Sequence, residues 1–165
     1  MSAAAQVTLV VAAFLCSLVA GFLFAFAVVV MPGIRKLGDR EFLRAFQEMD
    51  GVIQRGHPLF GLVWLGSALA VIAALILGVT QLAGEERIAL AVAAGLYLFG
   101  VQLPTFVVNI PLNNELQALD VDGADEAVCS SARERFEPRW NRWNVIRTTL
   151  AALISAILVV LPVRL

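Results

Sequence analysis

Apolar side chains run almost unbroken through four stretches of the chain, over residues 7–31, 59–82, 88–110 and 145–161. A helix rises about 1.5 Å per residue and the hydrocarbon core of a bilayer is about 30 Å thick, so about 20 apolar residues cross it. The pattern predicts four transmembrane helices. Between the first two the periodicity changes: Phe42, Leu43, Phe46, Met49 and Ile53 recur at helical spacing opposite Arg40, Glu41, Arg44, Gln47 and Glu48, which describes an amphipathic helix. The connection between the last two is more polar from Gly123 to Trp143 and predicts a second such helix, with Pro138 interrupting it or starting a new turn. The fold class is all-α. It is a single integral membrane domain over residues 1–165, a four-transmembrane-helix bundle with amphipathic helices on two long connections, residues 32–58 and 111–144.

Composition removes the soluble alternative. Of the 165 residues, 60% are hydrophobic and 15% charged, against about 45–50% and about 25% in soluble domains; mean hydropathy is +0.85. A net charge of -1 leaves no basic footprint, so nucleic acid is not a partner. Ala25-Phe26-Ala27 resembles a signal-peptide cleavage site. No Lys or Arg precedes Arg35, however, and the apolar run far exceeds an h-region of about 7–15 residues, so the segment is taken as a retained helix. Arg35, Lys36, Arg40, Arg44 and Arg55 follow the first span; Arg133, Arg135, Arg139, Arg142 and Arg147 precede or enter the fourth. These are ten of the chain's twelve Lys and Arg residues. The positive-inside rule then places both long connections in the cytoplasm and both termini outside; the membrane expected is a bacterial inner membrane. Cys16 and Cys129 define neither a disulfide framework nor a thiol metal site.

A short repeat relates the two halves: Val28-Val29-Val30-Met31-Pro32, then Leu37, aligns with Val107-Val108-Asn109-Ile110-Pro111, then Leu116, so the first and third spans both end at a proline. Candidate chemistry begins in the third span. Gln102, Thr105, Asn109 and Asn113 are three, four and four residues apart and share one helical face, which lipid would penalise and which therefore points into a bundle or a wet cavity. Pro104 and Pro111 each free a carbonyl one turn back. On the fourth helix, Trp140 and Asn144, Trp143 and Arg147, and Asn144 and Thr148 are each four apart, putting indoles, an amide, a guanidinium and a hydroxyl on one wall. The topology brings this wall beside Arg35, His57 and the asparagines of the third helix, a candidate pocket at the cytoplasmic end.

Each of these residues also has an ordinary structural reading. Trp140 and Trp143 suit interfacial anchors, Arg35 and Arg142 suit headgroup-facing topology charges, and Asn109 suits a helix-to-helix hydrogen bond. Arg147 lies just inside the apolar run, where an arginine must snorkel or find a partner. His57, before Pro58, is the only histidine; non-haem iron, copper and catalytic zinc sites use two or three, so no multi-histidine metal centre is expected.

The succession Gly21-Phe22-Leu23-Phe24-Ala25-Phe26, Val30-Met31-Pro32, Val108-Asn109-Ile110-Pro111-Leu112-Asn113 and Trp143-Asn144-Val145-Ile146-Arg147-Thr148 resembles the anthrone oxygenase-like family of small four-helix membrane proteins. The resemblance implies oxidation of an anthrone-type polycyclic aromatic to a quinone by molecular oxygen without a dedicated cofactor. On that reading His57 is the base. Asn109, Asn144 and Arg147 complete the catalytic set, and Arg35, Gln102, Thr105, Asn113, Trp140, Trp143 and Thr148 contact the substrate. The partners expected are a lipophilic aromatic molecule and membrane lipids. The alternative is a non-catalytic membrane protein that binds a lipophile or serves as an accessory subunit. Ala91 and Gly95, four apart, allow close packing against another copy or a larger complex.

Overall fold

The computed structural model describes residues 1–164, and among them are five helices and no strand. α1 (Ala3–Ile34), α3 (Pro58–Gln81), α4 (Gly84–Gln117) and α5 (Glu126–Arg164) are each long and apolar enough to cross a membrane. α2 (Asp39–Gln54) is the amphipathic helix between α1 and α3. The helix expected in the second long connection is the N-terminal part of α5, which continues as α-helix through Pro138 to Val160. Pro138 and Glu134, whose carbonyl the proline leaves without its usual donor, are both exposed at the polar end of the helix, so the proline breaks the ladder where the cost is small.

α1 is the central element, packed against both α3 and α5. Its buried seam is Leu9, Ala12, Cys16, Val19 and Leu23, spaced by alternating threes and fours, the period at which one helical stripe stays facing its neighbours. Small residues at the contacts, Ala12, Ala13, Ala74, Ala93, Ala94 and Ala151, let the backbones approach. A second buried cluster, with Phe42, Leu43 and Phe46 of α2 against Phe136 and Trp140 of α5, seats α2 across one end of the bundle.

Side-chain bonds to orphaned carbonyls hold α2 there. Gln47 Nε2 donates to the Leu116 and Leu119 carbonyls at 2.8 and 3.0 Å, where α4 ends, and Gln117 Nε2 donates back to the Gln47 carbonyl at 2.9 Å. Arg133 donates to the Arg35 and Leu37 carbonyls at 2.8 and 2.9 Å, pairs with Asp39 and Glu137, and lies 4.3 Å over the Phe42 ring.

The prolines of α1 and α4 do not end their helices. Each is absorbed by a wide π-type segment: Phe26–Val30 before Pro32, Leu96–Gln102 before Pro104, and Thr105–Asn109 before Pro111. In every case the residue preceding the proline donates five residues back, Met31 to Phe26, Leu103 to Leu98 and Ile110 to Thr105. A proline supplies no amide hydrogen and its ring clashes with the carbonyl one turn back, so widening the turn keeps the chain helical where a regular ladder would break. The two halves of the short repeat therefore share one local shape, a five-residue π segment followed by a proline turn.

Candidate functional site

A cavity of about 370 Å³ lies between α1, α3, α4 and α5, with α2 closing over its end. Six rings line it in one continuous belt. Trp64 stacks on Phe60 with centroids 5.3 Å apart; Phe60 meets Phe22, Phe22 meets Phe26, Phe26 meets Trp140 and Trp140 meets Phe46, with centroids 4.9 to 5.7 Å apart. Such a wall offers flat faces and edges to a flat ligand.

Polar groups occupy the two ends. At the deep end Arg147 is 3% exposed. Its Nη1 donates to Thr105 Oγ1 at 2.7 Å and its Nη2 to Asn144 Oδ1 at 3.2 Å, and among the described residues it pairs with no carboxylate. Thr105 passes its own hydrogen to the Val101 carbonyl at 2.8 Å, and Asn144 Nδ2 donates to the Leu23 carbonyl at 3.2 Å. These bonds fix the hydroxyl and amide orientations so that both oxygens face the guanidinium. Among the described residues Arg147 Nε has no partner, nor has the buried Oδ1 of neighbouring Asn109, whose Nδ2 makes only a long 3.5 Å bond to the Trp140 carbonyl. A buried cation costs several kcal/mol of desolvation, roughly, unless an anion compensates it, and among the described residues no carboxylate does so at Arg147.

At the α2 end the cavity meets a carboxylate. Asp50 is 4% exposed and accepts from Asn113 Nδ2 at 2.7 Å on Oδ1, and from Gln117 Nε2 at 3.0 Å and Gln54 Nε2 at 3.1 Å on Oδ2. Asn113 in turn accepts from Trp140 Nε1 at 2.8 Å. Asp50 therefore orients the amide that holds the indole.

Of the residues singled out by sequence, Thr105, Asn109, Asn113, Trp140, Asn144 and Arg147 line the cavity. Five lie outside its lining. His57 is exposed at the N-cap of α3, its side chain capping nothing. Arg35 is exposed and reaches Glu137 at 3.5 Å. Gln102 is buried in an inter-helix chain, donating to Tyr97 Oη at 3.2 Å, which donates to Ser67 Oγ at 2.6 Å, which donates to the Trp64 carbonyl at 2.7 Å. Trp143 is half-buried against the α2 cluster, and Thr148 bonds the Asn144 carbonyl of its own helix at 2.7 Å. Sequence reasoning missed Asp50, although a signal existed: it stands four residues after Phe46 on the apolar face of α2, where a charge is out of place.

Fold and site define a class: an all-helical protein with four helices able to span a membrane, holding an aromatic-walled cavity with a cation at one end and a carboxylate at the other. The family model described as Anthrone oxygenase matches residues 49–158, from the last turn of α2 through most of α5, and the chain belongs to that family. No curated protein and no solved structure matches it.

Proposed function

We propose that this protein binds a flat, lipophilic anthrone-type phenol in the cavity and oxidises it with molecular oxygen, using no dedicated cofactor. One observation carries the reading: Arg147, buried at the cavity, has among the described residues hydroxyl and amide partners but no anion. Removing a proton from the methylene of an anthrone turns the carbonyl across the ring into an enolate, and an oxyanion at Arg147 supplies the missing negative charge. Donors fixed before the charge develops lower the barrier to forming it. The electron-rich anion then reduces dioxygen. One oxygen atom ends on the former methylene carbon as the second quinone carbonyl, and the other leaves as water with the two methylene hydrogens. The α2 end, where most of the arginines gather, faces the cytoplasm on this reading.

The test is oxygen uptake and quinone formation by purified protein given an anthrone, against Arg147→Met. The variant is expected to lose about 10²- to 10³-fold in turnover, the usual effect of removing an oxyanion donor. Wild-type protein that binds the quinone tightly but consumes no oxygen would instead support a lipophile-binding protein, for which the aromatic belt alone suffices.

A further inference from the structure

We infer that Asp50 is the group that takes the substrate proton, an inference that rests on the oxidation proposed above. The reaction needs a base at the cavity, and the lone histidine is exposed and borders no part of it. Asp50 is the only acidic residue among those lining the cavity, and it is buried. Its hydrogen bonding is unequal between the two oxygens. Oδ2 accepts from both Gln54 and Gln117 and has both lone pairs used, whereas Oδ1 accepts only from Asn113. A carboxylate oxygen has two acceptor sites, so Oδ1 keeps one for a proton.

Its position relative to Arg147 gives the second argument. The guanidinium bonds Thr105 and the carboxylate bonds Asn113, two turns further along α4, or on the order of 10 Å at ordinary helical rise. An anthrone carries its carbonyl oxygen and its acidic methylene on opposite sides of the central ring. A flat molecule lying along the aromatic belt with its oxygen at Arg147 therefore directs the methylene toward α2 and Asp50. The C–H bond breaks, its proton goes to Oδ1, and its electron pair delocalises onto the oxygen held by Arg147. Dioxygen, already named as the oxidant, takes up the electrons. Asp50 comes from a helix outside the membrane spans, so the returned proton has a short path to water past exposed Gln54 and Asn114, which hydrogen-bond each other at 2.9 Å beside it.

The experiment compares wild type, Asp50→Asn and Asp50→Glu in turnover of an anthrone and in binding of the quinone product, read by tryptophan quenching. Asp50→Asn is expected to bind the quinone within about threefold of wild type yet lose about 10²- to 10⁴-fold in turnover near neutral pH, the range of a general base. Activity should return as the pH rises through the ionisation of the substrate itself, since a pre-formed enolate needs no base. Asp50→Glu moves the carboxylate by one methylene and should keep more turnover than Asp50→Asn, with a changed isotope effect on the dideuterated methylene. Turnover by Asp50→Asn within tenfold of wild type overturns the assignment. If Asp50→Asn does not fold, an Asp50→Glu isotope effect identical to wild type overturns it. A wild type inactive on every anthrone would instead remove the reading on which the inference rests.

Discussion

A guanidinium buried among packed helices without a carboxylate beside it costs the protein that holds it several kcal/mol of desolvation, roughly. Arg147 is in that position, with Thr105 and Asn144 as its only side-chain partners among the described residues. Methionine removes that cost but leaves the buried oxygens of Thr105 and Asn144 without this donor, a loss of about 1–3 kcal/mol each that works against it. Arg147→Met is therefore expected to melt close to the wild-type temperature in detergent while turnover collapses; a large loss of stability would make Arg147 a structural residue. His57 has the opposite profile. Because it is exposed and outside the cavity, His57→Ala is expected to leave turnover within about twofold, as surface substitutions do. A hundredfold loss would return the histidine to the mechanism. Sequence singled out Arg147, which lines the cavity, because a charge inside an apolar run is conspicuous. It placed His57 beside the pocket, and the structure leaves that side chain outside the lining, because nearness to a span along the chain says nothing about which way a side chain faces. It passed over Asp50 because the carboxylate lies on a helix of mixed character where charges are common.

The elements were legible where hydrophobic periodicity was long and uniform, which is why four membrane-length helices and amphipathic α2 stand where the apolar pattern put them. The fates of the prolines were not legible, because whether a helix ends or widens at a proline depends on what the neighbouring helices hold in place. Pro32 and Pro111 look like helix ends in one dimension, yet in three they, like Pro104, follow π-type segments inside continuous helices. The consequence falls on α4, where the widened segment from Thr105 to Asn109 sets the relative rotation of the residue that holds Arg147 and the residue with the unpartnered oxygen. Pro111→Ala restores an amide hydrogen and an ordinary turn, and proline costs about 3 kcal/mol more than alanine in a helix interior. The variant is expected to be at least as stable as wild type and up to about 10²-fold slower, the penalty for a displacement of about 1 Å at a reacting centre. Unchanged turnover would mean that the wide turn serves packing alone.

For the molecule as a whole, the question raised by an apolar ligand is how it reaches a cavity between membrane-length helices. α3 and α4 are joined near their common hairpin by Gly78 against Leu90, and further along by the Tyr97–Ser67 hydrogen bond. Beyond that bond the cavity lies between them. Leu65 on α3 and Phe106 on α4 both line it, and they are nonetheless 63% and 59% exposed, on surfaces that lipid covers in a membrane. With α3 and α4 spanning a membrane, as proposed above, the opening faces lipid, into which a polycyclic aromatic partitions, and not only the end under α2. Gly61 lies beside it, and a Cβ added there meets no atom within 4 Å, so the position opens onto free space. Gly61→Phe in nanodiscs is expected to slow quinone association and dissociation together, each by about tenfold, and to leave Kd nearly constant, because a narrowed entrance obstructs both directions alike and affinity follows their ratio. The wild-type association rate should scale with the quinone's mole fraction in the lipid, not with its aqueous concentration. If Gly61→Phe weakens binding through dissociation alone, that position belongs to the wall of the site, and entry must run past α2.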